Sequence, residues 1–347
     1  MKKITRIIIW ALLSIMMQVA VLVYLDKVLF VDASNFKIVS NETVDKNRDV
    51  DYDIPNSAEN IKISDDARFI SYYENEKLMI LDTKSMTTRE ILTDKGRKIL
   101  FSDWILDENI LMIAEKVPGN NGYNQKVKIL TYNVRNDFES EIKILCDYEE
   151  GIKVDNIVSS IKTNTHYVGI SRTGYNSKIY RIDINNDVKV IANKVPSLGE
   201  MKAVQRYDVL IYEDSLNKQF YSYTNGKVNK LKLDNAANLT MIGIDNDKKI
   251  YMGELSNEKI IKIIYGQYDS DESTWSSFTL EKPKDLSDIY LSSNDDILVN
   301  DNLTGTVKNM TTNETIQYEG KLLQITDKFI CSINNNKLII KSLKNNK

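Results

Sequence analysis

The stretch "ISDDARFISYYENEKLMILDTKS", residues 63–85, reads as one small antiparallel unit. A polar turn at 64–68 leads into the apolar run 69–73. Asn75 and Glu76 interrupt it, and a second apolar run, 78–81, ends in Asp82-Thr83. Short runs rich in Ile, Leu, Phe and Tyr, bounded by Asn, Asp and Ser, are strand and turn signals. The fold depends on whether this unit stands alone or recurs.

It recurs. Runs of the same kind group into units at 60–92, 99–145, 153–193, 201–233, 239–282 and 288–320, each with four strand-like segments. A last unit at 321–344 has three. Beyond residue 58 no segment keeps helical 3.6-residue spacing over a useful length. Four-strand units at a period of roughly 40–45 residues are the signature of a β-propeller. A stack of β-sandwiches rarely keeps so even a four-strand period. The expected fold is therefore all-β, a seven-bladed propeller, with a six-bladed ring plus an extra hairpin as the alternative. An open ring would expose sheet edges. The segment "NFKIVSNETV", residues 35–44, is thus expected to supply the missing outer strand of the last blade. The bland reading makes residues 31–58 a linker.

The turn Ser64-Asp65-Asp66-Ala67-Arg68, with Asp82 at the end of the following strand, resembles the TolB-like and WD40-like propeller repeat. That repeat has a Ser-Pro-Asp-Gly-type turn, and here Asp65 and Ala67 stand at its Pro and Gly. "YRIDINND", residues 180–187, echoes the strand end with Asp183. The resemblance implies a fold and carries no catalytic residues.

The N-terminus has a different character. Lys2, Lys3 and Arg6 precede residues 7–25, which carry no charge and only Ser14 and Gln18 as polar residues. About 20 apolar residues span a bilayer core. Basic flanks stay in the cytoplasm, so the remainder is expected outside the cell. A cleaved signal peptide has a shorter apolar stretch and a small-x-small site, for which Val31-Asp32-Ala33 is a poor match. The chain is accordingly divided into a cytoplasmic stub and transmembrane signal anchor (1–30), a linker with a ring-closing strand (31–58) and a propeller (59–347). Without Lys2, Lys3, Arg6, Lys27 and Asp26, the remainder holds 42 basic and 48 acidic residues, a net charge of −6. That balance does not suit nucleic acid, whose binding calls for basic patches.

Recognisable reaction chemistry is sparse. The single histidine, His166, has no G-x-S-x-G elbow to serve, and a structural role fits it best. Cys146 and Cys331, in strand-like contexts, read as buried free thiols. One His and two distant Cys do not make a zinc site, and no phosphate-binding glycine loop occurs. Asp269, Asp271 and Ser273, and likewise Asp45, Asn47 and Asp49, have calcium-loop spacing but lack the central Gly and the closing Glu. No metal and no cofactor is expected.

The loops 115–125 and 171–178 join the second and third strands of adjacent units, so they share one face. Each carries Gly-Tyr-Asn, which makes Tyr123, Asn124, Tyr175 and Asn176 the candidate ligand-binding residues. The loop 268–275 joins third and fourth strands and belongs to the opposite face, where Tyr265, Tyr268 and Trp275 could stack on a sugar or cover a blade edge. The leading expectation is a membrane-anchored, extracytoplasmic, non-enzymatic module that binds or scaffolds a protein or cell-envelope component. A glycan-active hydrolase or lyase with carboxylates in the propeller channel is the alternative. A structural subunit of a membrane complex is a third.

Overall fold

The computed structural model describes residues 6, 10, 13–19, 22 and 48–343, except 92–96, 106–107, 120–123 and 293–294. The chain divides into two compact units, 1–45 and 46–347. The second is a seven-bladed β-propeller, with seven four-stranded antiparallel sheets among the described residues. Six blades are simple meanders, at 59–90, 98–147, 152–195, 198–230, 239–284 and 289–317. We call their strands A to D from the channel outward.

The seventh blade takes three strands from the C-terminus, Lys321–Ile325, Phe329–Asn334 and Lys337–Ser342. Its outer strand is Arg48–Asp53, paired antiparallel with Lys337–Ser342. The closing strand expected at 35–44 is therefore supplied by a later segment, and 35–44 lie outside the described residues.

Each blade buries both of its faces, one against each neighbour. In the strand Phe69–Glu74, Phe69 packs towards blade 2 while Ile70 and Tyr72 pack towards blade 7. This follows from the two-residue period of a strand. The apolar core is accordingly a circle of seven clusters, one for each blade-to-blade interface.

Glycine is scarce, and Asn does much of its work. Two-residue hairpin turns of type I′ need left-handed conformations at both central positions. Asn75-Glu76, Asn257-Glu258 and Asn335-Asn336 adopt them, with φ between 49° and 65°. Asn tolerates this region better than most side chains. Ala67, at the glycine position of the repeat, is also left-handed, at φ 53°.

Innermost strands of six blades carry a register shift against strand B; the three-residue strand Ile289–Leu291 does not. Such bulges bend a strand and sharpen its twist, as the rim of a closed channel requires.

The motif turn is a set of local bonds. Ser64 Oγ donates to Asp66 Oδ1 (2.8 Å), and the backbone N–H of Arg68 does the same (3.0 Å). Ser64 Oγ also accepts from the N–H of Phe69 (3.0 Å). Thr83 Oγ1 donates to the Arg68 carbonyl (2.9 Å), joining the two turns at one end of the blade.

Polar residues also fasten blade to blade. Gln324 accepts from Ile63 N–H (3.0 Å) and donates to Ile63 carbonyl (3.1 Å), linking blades 7 and 1 at the channel wall. Between blades 3 and 4, Arg181 is bidentate on Asp208, with Nη2 at 2.7 Å and Nε at 3.0 Å, and Tyr167 Oη donates to the same carboxylate. Burial pushes the Asp208 carboxyl up, but these donors outweigh it and hold the carboxyl below the usual range. Asp208→Ala would leave Tyr167 and Arg181 without this acceptor. Solvent reaches Asp208 and screens the pair, so the expected loss is about 2 kcal/mol, less than for a fully buried pair. Urea unfolding of variant and parent checks it, and an unchanged midpoint would remove the fastening role.

Candidate functional site

The antiparallel meander puts the A–B and C–D turns at one face of the ring. The B–C turns and blade-to-blade crossings lie at the other, which we call the BC face.

A cavity of ≈660 Å³ runs along the axis, lined by residues from all seven innermost strands. Its wall mixes aliphatic residues, Ile157, Met201, Ile242 and Ile289 among them, with polar ones such as Asn156, Lys202 and Gln205. Two carboxylates line it. Asp65 is paired with Lys328 at 2.6 Å and Asp103 with Lys62 at 2.8 Å. Glycoside cleavage needs two carboxyl groups facing one substrate. Here each is engaged by a lysine of the neighbouring blade.

His166 is buried. Its Nδ1 lies 2.8 Å from Ser159 Oγ on the paired strand, and burial alone depresses its pKa to about 4. Cys331 is fully buried, which pushes its thiol up to about 12. Cys146 is half-buried and also shifted upward by burial. Both thiols are free.

The loop between strands C and D of blade 5 is filled by its own side chains. Tyr268 is buried in the blade 4–5 cluster with Trp275 against it. A Cβ on Gly266 would stand 2.2 Å from Trp275 Cδ1, so the indole lies directly on that backbone. Tyr265 stacks on Tyr251 with centroids 5.3 Å apart. Asp271 caps the short helix Glu272–Thr274 by accepting from Ser273 N–H. These rings cover the blade, and among the described residues no group of His, Cys, Asp and Glu has the arrangement of a metal site. Asp45 and Asn47 lie outside the described residues.

The other loop pair behaves differently. The turns after Ile110–Pro118 and Thr165–Arg172 both join strands B and C, in neighbouring blades, and so lie on the BC face. Tyr123 lies outside the described residues; Asn124, Tyr175 and Asn176 are exposed. Tyr175 is 62% exposed yet held, with the Arg172 guanidinium 4.2 Å from its ring centre. Arg172 is in turn ion-paired with Glu149. Glu149 and Tyr148 belong to the crossing from blade 2 to blade 3, and Tyr148 N–H donates to the carbonyl of Gln125 (2.8 Å). Lys116 Nζ lies 4.4 Å from the Tyr148 ring centre.

One connected ridge thus runs from Asn124 and Gln125 through Tyr148 and Glu149 to Arg172, Tyr175 and Asn176. Lys116, Tyr148, Glu149 and Arg172 were not legible as site residues. Lys116 and Arg172 lie within the two Gly-Tyr-Asn loops, at 115–125 and 171–178; the sequence signal of Tyr148 and Glu149 is the charged segment "DYEEG" at 147–151.

Fold and site together define a seven-bladed β-propeller with loop-built surfaces. No protein-family profile matches the chain, and no curated protein does. Solved structures match the fold. A chain in the crystal structure of the mitotic checkpoint complex is 10% identical, with 89% of this chain and 98% of that chain covered, at a TM-score of 0.53. The β-propeller domain of Myceliophteria thermophila Cps50 (Swd1) is 10% identical, with 86% and 100% covered, at 0.51. A prolyl endopeptidase is 10% identical at 0.51, with 83% of this chain covering 50% of that one. At such identities the likeness is one of fold alone.

Proposed function

We propose that the chain is a binding or scaffolding module whose BC-face ridge engages a protein partner. One observation carries this reading: Tyr175 is exposed but pre-positioned by Arg172, which Glu149 holds. Tyr and Arg dominate binding hot spots. An anchored aromatic loses little freedom on binding. The ion-paired carboxylates of the channel give the hydrolase reading no comparable support.

We further propose that residues 7–25 anchor the module in the cell membrane, with the propeller outside. Among the described residues no helix is long and apolar enough to cross a membrane. The span falls in part outside them. The support comes from the apolar run with its basic flank, and from residues 13–19, which are helical and expose Leu13, Ile15, Met16 and Met17. Protease added to intact cells should digest the propeller and spare an N-terminal tag. Digestion of the tag alone would reverse the orientation.

Full-length protein in neutral detergent, used to capture partners from envelope extract, tests the ridge. Once a retained protein is identified, its affinity is measured directly. Tyr175→Ala and Arg172→Ala are each expected to weaken it by roughly 5–30-fold, the loss of about 1–2 kcal/mol at a hot spot. Equal affinity for parent and both variants would exclude the ridge.

A further inference from the structure

A second surface on the BC face lies between blades 1 and 2, a cleft of ≈800 Å³. Its walls are the innermost strands Glu59–Ile63 and Lys98–Trp104 and the B–C turn of blade 1. The lining is apolar at Tyr73, Ile99 and Phe101, and Tyr73 Oη lies 2.9 Å from Ser102 Oγ. That bond joins the two blades under the cleft.

The charges along the cleft are not balanced. At the inner end, Lys62 is taken by Asp103 (2.8 Å) and donates to the Ser102 carbonyl (3.1 Å). At the outer end, Lys98 meets Glu76 at 3.2 Å, with both side chains largely in solvent. Glu59 lines the cleft, is exposed, and has no ion pair among the described residues. Among the described lining residues, with Lys62 taken by Asp103, two carboxylates, Glu59 and Glu76, thus face a single lysine, Lys98. The cleft already holds an ammonium against an aromatic face, since Lys62 Nζ lies 4.9 Å from the Phe101 ring centre.

We propose that this cleft binds a lysine or arginine side chain from a basic segment of a protein partner. The aliphatic stem covers Tyr73 and Ile99, and the cationic head meets Glu59 and then Glu76. Long basic side chains bind in this divided way, apolar stem inside and charge at the rim. The acidic balance of the whole chain, net −3, favours encounter with a cationic partner. The proposal deepens the binding-module reading but rests on different blades from the Tyr175 ridge.

The probe is a fluorescein-labelled Gly-Lys-Leu-Arg-Gly amide, with Gly-Glu-Leu-Glu-Gly amide as control, titrated into the full chain in neutral detergent and read by anisotropy. Binding of the basic peptide alone is expected. Glu59→Gln should weaken it about tenfold, the loss of roughly one carboxylate contact. Lys98→Gln should tighten it several-fold by freeing Glu76. A merely structural role for these exposed groups would not give opposite signs. Tyr175→Ala should leave the peptide affinity unchanged, so failure of the ridge and failure of the cleft are separable. Equal binding of both peptides, or affinity indifferent to Glu59→Gln and Lys98→Gln, overturns the proposal. Displacement by spermidine at concentrations matching the peptide's own affinity would replace the peptide source with a free polyamine.

Discussion

A chain shortened to begin at Ser57 is expected to melt about 10 °C or more below one that begins at Lys46. The difference is the strand Arg48–Asp53 and the residue that follows it. Ile54 is 2% exposed within the blade 7–1 cluster, and its N–H donates to the Asn336 carbonyl (2.9 Å). Tyr52 Oη lies 2.8 Å from Thr88 Oγ1 in blade 1. Emptying a buried isoleucine site alone costs about 2–5 kcal/mol. Loss of the strand also bares the edge of Lys337–Ser342 to other chains. For a domain of this size each kcal/mol shifts the midpoint by roughly 2 °C. Calorimetry on both truncations decides the matter. The chain beginning at Lys46 should melt like the full protein although it lacks 35–44. A large drop on that first truncation would return the closing role to 35–44.

Acidification from pH 6.5 to 4 is expected to remove about 3 kcal/mol of stability through His166 alone. Its folded pKa is depressed to about 4 by burial; the unfolded value is about 6.5. Between these values the unfolded chain binds the proton and the folded chain does not. Stability therefore rises with pH across that window, and the contribution is flat above about 6.5 and below about 4. The chain has no other histidine to titrate there. Glu115, Asp155, Glu213 and Asp295, raised first by burial, act with the opposite sign, since their folded forms accept protons more readily. They are common to parent and variant. The difference in unfolding free energy between parent and His166→Gln, measured from pH 7 to pH 4, should therefore show the histidine slope. A constant difference would mean that His166 is solvated when folded.

Six blades were legible because each is a local object, and the seventh was legible as its three C-terminal strands. The runs around Asn75-Glu76 and Asn257-Glu258 alternate on a two-residue period and pair with their sequence neighbours. The closing strand was harder to read. "RDVDYD", residues 48–53, is an outer strand, hydrogen-bonded along one edge to Lys337–Ser342. Its composition is acidic and turn-like, while "NFKIVSNETV" has the more apolar pattern.

The candidate site divided in the same way. The shared face of the two Gly-Tyr-Asn loops followed from counting strands, whereas the contacts among Arg172, Glu149 and Tyr148 did not. Tyr265, Tyr268 and Trp275 could be read either as a sugar-stacking surface or as a cover for the blade edge, and Trp275 lies on Gly266 as the second reading has it. Aromatic residues serve cores and binding surfaces alike, and burial alone separates the two uses.

By itself the sequence determined the repeat, its strand count and the turns that divide it, because these depend on side-chain alternation and turn chemistry within about 40 residues. Tertiary structure alone decided which distant segment closes the ring. It also decided which charges meet: Arg181 with Asp208, Lys328 with Asp65 and Arg172 with Glu149. Those pairings depend on how blades are stacked and rotated around the axis. Neighbouring residues along the chain carry no record of that geometry.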